Sequence, residues 1–329
     1  MSRIYEALQK AESERNSERR EPGLGIQDQA LSTTMTTAVA ESEDSVFATP
    51  RFAEAPIVTE PYVEPSQRRA GVESLGHSLG QSLDLSKIQA RPWALSLEQL
   101  PALLERGPAV EQFRSLRSRI FELRDISPLK TILVSSGLPQ EGKSFISTNL
   151  ALSLARHKNS KVLLIDGDMR RYTLHQILGC ESNPGLADYL AGKATVMDVL
   201  QRPEPLQAAS PAVIPILPNL TFIAGGNGGD KAADLSGSPR FGELIRQMAP
   251  HFDWIIVDSS PVLPVSDAVN LARWCDGVLL VARGGVTKFP IAQRAQSELK
   301  ASNILGFVLN AVEETPQVGG YYSYDATAQ

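Results

Sequence analysis

Cysteine is scarce in this sequence, and long hydrophobic runs are missing. The two cysteines among the 329 residues, Cys180 and Cys275, stand far apart and lack the spacing of a zinc site or a disulfide framework. No segment reaches the about 18 consecutive apolar residues that a membrane-spanning helix needs. The first residues also lack the apolar core of a signal peptide. We therefore expect reduced cysteines and a cytoplasmic protein.

Positive charge is not concentrated anywhere along the chain. The formal net charge is −5 at pH 7, and no block of Lys and Arg is dense enough to neutralise many phosphates. This composition argues against a nucleic-acid partner. Hydrophobic residues make up 42% of the sequence, which is enough for the core of one large domain with extra segments around it.

A phosphate-binding motif follows a short apolar segment in the middle of the chain. Residues 132–134, I-L-V, predict a buried strand, and residues 137–144, G-L-P-Q-E-G-K-S, fit the pattern G-x-x-x-x-G-K-S/T at every fixed position. A helical pattern begins directly after the motif and continues to His157. The order strand, loop, helix is the context in which this motif binds nucleotide phosphates.

The residue types in the motif explain its chemistry. Gly137 and Gly142 let the backbone turn so that several N–H groups face one point beside a helix N-terminus. Lys143 would supply a positive charge to the β- and γ-phosphates, and Ser144 a hydroxyl ligand for Mg²⁺. Asn310 stands at the end of the last predicted strand, where its amide could pair with an adenine edge. With ATP and Mg²⁺ as cofactors, the expected cofactor-binding residues are Gly137, Gln140, Glu141, Gly142, Lys143, Ser144, Phe145 and Asn310.

Carboxylates end two apolar strands that we expect in the middle of a parallel sheet. Residues 162–165, V-L-L-I, precede Asp166 and Asp168, and residues 254–257, W-I-I-V, precede Asp258. Ligands of open α/β sheets bind at the carboxyl ends of the strands, which is where these acids stand. Asp258 has the position of a Walker B acid, which holds the water shell of Mg²⁺.

These acids complete a candidate catalytic set. One of Asp166 and Asp168 could orient Mg²⁺ through water while the other accepts a proton from an attacking hydroxyl. The residues that we expect to be catalytic are Lys143, Asp166, Asp168 and Asp258. The expected metal site consists of Ser144, Asp258 and one of Asp166 and Asp168.

Strands and helices alternate through the rest of the chain. Further strands are predicted at residues 277–282 and 304–312, and helices at residues 266–274 and 290–301. This alternation implies a parallel sheet with right-handed crossovers. The predicted fold class is α/β, a P-loop NTPase fold whose mainly parallel sheet is flanked by helices and preceded by a disordered linker. Gly and Asp cluster without periodicity at residues 225–238, which predicts a surface loop.

Composition divides the chain into four parts. Residues 1–20 have a narrow apolar stripe at helical spacing and predict a short amphipathic docking helix. Residues 21–92 are rich in Ser, Thr, Pro, Gln and Glu and predict a disordered linker. Residues 93–315 contain the motifs and form the expected P-loop domain. Residues 316–329 predict a flexible tyrosine-rich tail.

Two further features suggest contacts between subunits. Residues 110–124 predict a helix on which Glu111, Arg114 and Arg117 occupy neighbouring turns. These charges either form a solvated face or pair with the same helix of another subunit. The tail contains three tyrosines, Tyr321, Tyr322 and Tyr324. They could be an aromatic plug or part of a β-prone tail, or they could be the substrate that the tail brings to an active site.

Five motifs occur in a fixed order between residues 108 and 324. They are E-Q-F-R-S-L-R, S-S-G-L-P-Q-E-G-K-S, L-L-I-D-G-D-M-R-R, I-I-V-D-S-S-P-V and P-V-S-D-A, and the tyrosine cluster follows them. This combination resembles the bacterial tyrosine autokinases of capsule and exopolysaccharide synthesis. The first helix is similar to the start of cytoplasmic members that are encoded apart from their membrane partner.

The resemblance implies an ATP-dependent protein-tyrosine autokinase that regulates polymer synthesis and export. Ser144, Asp168 and Asp258 would hold Mg²⁺ directly or through water. Asp166 would be the base for the attacking tyrosine hydroxyl, although Asp166 and Asp168 could exchange roles. The helix with Glu111, Arg114 and Arg117 would join subunits into a ring, in which one subunit's tail enters the next active site. Phosphorylation of the tail would oppose that docking and loosen the ring.

The resemblance also implies partners and a place in the cell. A membrane-anchored polysaccharide co-polymerase would recruit the chain to the inner face of the membrane and activate it, and a tyrosine phosphatase would reverse its modification. Two departures from the family are visible. The transmembrane helices of anchored members are missing, and Phe145 replaces a small polar residue.

Two other functions remain open at this stage. One is a P-loop ATPase switch of the partitioning or septum-positioning type, but those proteins carry a second lysine after the first glycine of the loop, where this chain has Leu138. The other is a regulatory scaffold whose nucleotide site only orders the subunits.

Overall fold

An eight-stranded sheet lies at the centre of the computed structural model, which describes residues 84–157, 160–204 and 219–312. The strands are β1 Gln89–Arg91, β2 Thr131–Ser136, β3 Val162–Asp166, β4 Leu200–Pro203, β5 Leu220–Ile223, β6 Trp254–Asp258, β7 Gly277–Arg283 and β8 Ile304–Asn310. Their spatial order is β1-β4-β5-β3-β6-β2-β7-β8, and only β4 and β5 pair in antiparallel fashion. The predicted α/β class with a mainly parallel sheet is confirmed.

Helices connect the strands of this sheet. They are α1 Pro108–Ile126, α2 Lys143–Ala155, α3 Leu174–Leu178, α4 Leu186–Leu190, α5 Val196–Val199, α6 Ala232–Ser236, α7 Pro239–Met248, α8 Asp267–Ala272 and α9 Phe289–Glu298. Four of them, α1, α2, α8 and α9, were expected from the sequence. Within the described ranges, no helix combines the length and apolar character needed to cross a bilayer. The predicted docking helix at residues 1–20 and the tyrosine tail lie outside those ranges.

The three central strands β2, β3 and β6 are buried at every position. Their continuous Val, Ile and Leu runs fit a parallel sheet that is covered on both faces. On one face, Ile132 and Val134 of β2 join an apolar cluster with Phe113 and Ile120 of α1 and Leu150 of α2. This packing fixes α2 against the sheet and so places its first residue, Lys143, at the carboxyl edge.

Ordered structure begins earlier than the sequence predicts. Strand β1 pairs with β4, so the domain already includes residues 89–91, which precede the boundary expected between residues 92 and 93. The segment after β1 is held by Asn149 of α2, whose side chain accepts from Ala102 N at 3.1 Å and donates to Gln99 O at 2.9 Å. The sequence of β1, Q-A-R, is polar and short, so only its pairing identifies it as a strand.

The Gly-rich segment at residues 225–238 is only partly the surface loop that its composition suggests. Gly225 and Gly226 are buried, and α6 lies within the segment. A Cβ at Gly225 would lie 2.6 Å from Tyr172 Cβ and 3.3 Å from Asp166 Cγ. Gly225 and Gly226 therefore allow the backbone to pack closely at the end of β3, so the prediction of a surface loop is wrong for the start of the segment, whereas Gly229 and Gly237 are exposed.

Candidate active site

Two carboxylates meet at the carboxyl edge of the sheet. Asp166 ends β3 and Asp258 ends β6, and the two are paired across the parallel ladder. Gly167 N donates to Asp258 O at 2.9 Å. A Cβ at position 167 would lie 2.6 Å from that oxygen, so the glycine in Asp-Gly-Asp allows the strand ends to touch.

The start of α2 contacts acids from both strands. Lys143 Nζ lies 3.1 Å from Asp168 Oδ2, and the two side chains are 14% and 3% exposed. Ser144 Oγ donates to Asp258 Oδ2 at 2.7 Å. The structure therefore brings together four of the residues that the sequence predicts for phosphate and metal binding.

The protonation properties of the cluster follow from burial and from the proximity of like charges. Burial raises the pKa of Asp166 well above its ordinary value, and the neighbouring Asp258 raises it further. Burial also raises the pKa of Asp258, although Lys143 and Ser144 partly oppose this shift. For Lys143, burial lowers the pKa, but Asp258, Asp168 and Asp166 together outweigh burial and leave it raised.

Asp166 and Asp168 differ in what they can reach. Asp166 is fully buried, and its two oxygens accept from Asp168 N at 3.2 Å and from Leu174 N at 3.1 Å. Asp168 accepts from Arg171 N at 3.0 Å and lines an open cleft. Asp166 therefore shapes the turn that carries Asp168, while Asp168 faces the space where a substrate would bind.

The phosphate loop contains two residues with left-handed backbone. Gln140 has φ 65° and Gly142 has φ 95°, and such a reversal turns successive N–H groups toward a common point. Gly137 serves a different purpose, because a Cβ there would lie 3.3 Å from both Ile291 Cγ2 and Ala295 Cβ of α9. It allows that helix to pack against the start of the loop.

Three predicted cofactor-binding residues contact protein groups in the structure. Asn310 Nδ2 donates to Glu141 O at 3.0 Å, and the Glu141 side chain is buried. The ring of Phe145 lies 5.8 Å from the ring of Phe113. Pairing of Asn310 with adenine stays a prediction, and one of its amide hydrogens is already used.

A cleft of about 450 Å³ opens beside the cluster. Besides the residues already described, the cleft is lined by Pro139, Arg170, Arg171, Thr173, Ser260, Pro261, Pro264 and Val265. Arg170 is held in place by Asp267, which it contacts at 2.7 Å from Nε to Oδ2. From the sequence, Arg170 and Arg171 could contact phosphate or a neighbouring subunit, but the sequence does not predict the pairing of Arg170 with Asp267 of the motif P-V-S-D-A.

The predicted subunit-contact residues separate into two groups. Arg114 forms an ion pair with Glu111 on the exposed side of α1, and its Nη2 donates to Glu105 O at 3.2 Å. Arg117 instead donates from Nη1 to Ser153 O of α2 at 2.8 Å. Arg117 therefore also stabilises the packing of two helices within the chain.

Comparison with known proteins finds relatives among the bacterial tyrosine-protein kinases. The tyrosine-protein kinase YwqD of Bacillus subtilis is 32% identical over 202 residues, which cover 61% of this chain and 80% of that protein. The putative tyrosine-protein kinase EpsB of Ralstonia solanacearum is 34% identical over 219 residues, 66% of this chain but only 27% of that protein. No protein-family model matches the chain.

A solved structure supports the same grouping. The kinase domain of the Escherichia coli tyrosine kinase ETK superposes with a TM-score of 0.55 at 30% sequence identity, and the match covers 63% of this chain and 78% of that one. The relatives from Acinetobacter johnsonii and Salmonella typhimurium are longer, and the chain spans 27% and 29% of their lengths. On these similarities, the chain belongs to the bacterial tyrosine-protein kinases.

Proposed function

We propose that this chain is an ATP-dependent tyrosine autokinase that phosphorylates Tyr321, Tyr322 and Tyr324 in trans between subunits. The observation that carries the proposal is the direct contact of Lys143 and Ser144 with Asp168 and Asp258. The phosphate loop, Lys143 and Asp168 line one cleft there, and Ser144, which also lines it, donates to Asp258 at the end of a separate strand. Catalysis of phosphoryl transfer consists largely of such positioning and electrostatic stabilisation.

The nucleotide phosphates would bind the loop, with Lys143 leaving Asp168 to contact them. The residues present also fit Mg²⁺. Asp258 Oδ1 is buried without a hydrogen-bond partner among the described residues, which suits an acceptor for a metal-bound water. Within those ranges, no group of three or more His, Cys, Asp and Glu side chains could hold a metal on its own. Mg²⁺ commonly completes its shell with water and substrate phosphate, and it would neutralise charge on the phosphates here.

In the transfer step, the tyrosine oxygen forms a bond to the γ-phosphorus. The bond from that phosphorus to the β,γ-bridging oxygen breaks, and ADP leaves. The phenolic proton goes to an aspartate, and Asp168 suits this role better than Asp166. Asp168 lines the cleft, whereas both oxygens of Asp166 are occupied by backbone N–H groups. Asp166 then acts as a positioning residue.

The wider biological role rests on the family. Several relatives are kinases with names from capsule or exopolysaccharide systems, and we infer that this chain regulates synthesis and export of such a polymer. The exposed Glu111 and Arg114 would join subunits into a ring. A membrane-anchored co-polymerase would recruit the chain to the inner face of the membrane and activate it, and a tyrosine phosphatase would reset the tail.

A mixing experiment tests transfer between subunits. The acceptor is the chain with Lys143→Met, and the donor has Phe in place of Tyr321, Tyr322 and Tyr324. After incubation with Mg²⁺ and ATP, the acceptor tail should contain phosphotyrosine, although neither protein alone gives tail label. ATP hydrolysis by the donor without label on the acceptor would contradict the proposal and favour the ATPase switch.

A further inference from the structure

Glu141 is a buried acid inside the phosphate loop. Glu141 is only 3% exposed and stands two positions before Lys143. A carboxylate next to a polyphosphate site opposes nucleotide binding by charge repulsion, so its presence requires a compensating role. Its contacts show what that role is.

Both oxygens of the carboxylate are occupied by protein donors. Oε2 accepts from Leu138 N at 2.8 Å, which closes the loop across three residues. Oε1 accepts a short hydrogen bond from Thr287 Oγ1, in the turn between β7 and α9. The same hydroxyl accepts from Arg283 N at 2.8 Å, and this hydrogen bond within the turn holds the threonine side chain in place.

The main-chain carbonyl of Glu141 also accepts a hydrogen bond. Asn310 Nδ2 donates to Glu141 O at 3.0 Å, and Asn310 O accepts from Gly284 N at 2.7 Å. Residue 141 is thus connected to the ends of β7 and β8 through two independent routes. Neither route involves a group that would contact phosphate.

We propose that Glu141 is a positioning residue that braces the phosphate loop in its binding shape before a nucleotide arrives. Hydrogen bonds to a charged acceptor are stronger than neutral ones, and a loop ordered during folding does not have to be ordered during binding. The brace therefore raises phosphate affinity despite its negative charge. This inference rests on the proposed function only for nucleotide binding, not for tyrosine transfer.

The sign of the effect separates a brace from a simple charge. If Glu141 only repels phosphate, Glu141→Gln should bind ADP more tightly than the natural chain. The brace predicts weaker binding by about tenfold, the equivalent of about 1.4 kcal/mol. Thr287→Val should give a similar loss with the charge still present, and the matched control Thr287→Ser, which keeps the hydroxyl, should restore affinity to within about twofold.

The measurement is titration of a fluorescent ADP, repeated with inorganic pyrophosphate as a competitor. Because the loop contacts only phosphates, both affinities should fall in parallel, which places the loss at the phosphate subsite. A general loss of stability would also lower both affinities, so denaturant unfolding of each variant must show that it stays folded under the binding conditions. Unchanged or tighter binding by Glu141→Gln and Thr287→Val would overturn the brace while leaving the kinase intact. Failure of the natural chain to bind ADP would overturn both proposals.

A second measurement needs no variant. The Leu138 amide should exchange slowly with deuterium in the nucleotide-free natural chain, because it donates to Glu141 in an otherwise exposed loop. Exchange at the rate of a solvent-exposed amide would show that the brace does not form without nucleotide and would contradict the proposal.

Discussion

Lys143 and Asp168 form an ion pair in the lining of the cleft, with 3.1 Å between Nζ and Oδ2. Lys143 thus has a protein partner that any nucleotide phosphate must replace. The pair explains how a lysine with little exposure stays charged without a bound anion. It also means that Asp168 influences binding as well as chemistry.

This pairing predicts opposite effects of one substitution on binding and on catalysis. Asp168→Asn frees Lys143 and removes a negative charge beside the phosphates. Binding of ADP without metal should therefore strengthen by about tenfold. Phosphorylation with Mg²⁺ and ATP should fall by about 100-fold or more, because the proton acceptor is lost. Fluorescent ADP titration and single-turnover labelling give the two values, and weaker metal-free binding would contradict the account.

We expect that replacing Asp258 raises the thermal stability of the ligand-free chain but impairs binding of Mg²⁺ and nucleotide. Its folded-state pKa lies above the ordinary value of 3.8 because of burial, so its contribution to stability is present when it is protonated and is lost as pH rises through that folded-state value. Asp258→Asn should therefore melt higher than the natural chain at neutral pH, by about 2–5 °C, and the difference should grow as the pH rises above the ordinary value of 3.8 and level off above the folded-state pKa. The same variant should lose stabilisation by Mg²⁺ and ADP.

The control for this effect is Asp230→Asn, which removes an exposed acid. Its melting temperature should follow that of the natural chain at every pH. A difference in melting temperature between Asp258→Asn and the natural chain that does not change with pH would show that ionisation of Asp258 does not destabilise the ligand-free fold.

We predict that the phosphate loop tolerates no side chain at position 142. A Cβ there would lie 1.9 Å from Asn310 Nδ2, at a backbone φ of 95°. Gly142→Ala should displace Asn310, destabilise the fold by about 1–3 kcal/mol and abolish ADP binding. Gly285→Ala is the matched control, because Gly285 also has positive φ but no heavy atom within 4 Å of the added Cβ. Denaturant unfolding would refute the argument if both variants lost equal stability.

Arg114 and Arg117 predict separable effects on assembly and stability. Arg114 lies on the exposed side of α1, so Arg114→Ala should reduce subunit association with little effect on unfolding. Arg117 also donates to Ser153 O, and Arg117→Ala should lower the unfolding free energy by about 1–2 kcal/mol. Sedimentation velocity and denaturant unfolding measure the two properties. Equal stability of the two variants would contradict the intramolecular role of Arg117.

Much of the fold could be predicted because its central strands and longer helices have strong patterns. Continuous apolar runs mark β2, β3 and β6, and acids or a glycine-rich motif follow each of them. Strands β1 and β4 are short and contain few apolar residues, and β1 lies at an edge of the sheet, where a strand needs no fully buried face. Helices α3 to α5 span four or five residues each, which is too few for periodicity to be visible.

The site divides in the same way. Lys143, Ser144, Asp168 and Asp258 could be placed because a fixed motif or a strand end specifies each. The partners of Glu141 and Arg170 could not be, because Thr287 and Asp267 stand 146 and 97 positions away in the chain. Only the sheet order brings these residues together, and no local pattern encodes that order.

The central claim is that this chain transfers phosphate from ATP to its own tail. The most direct measurement is phosphosite mapping by mass spectrometry after incubation with Mg²⁺ and ATP, with a cytoplasmic peptide of the proposed membrane partner as activator. Lys143→Met serves as the inactive variant, and Lys161→Met, which removes an exposed lysine, as its control. We predict phosphate on Tyr321, Tyr322 or Tyr324 in the natural chain and the control, and none in Lys143→Met. An unlabelled tail in a chain that hydrolyses ATP would contradict the account.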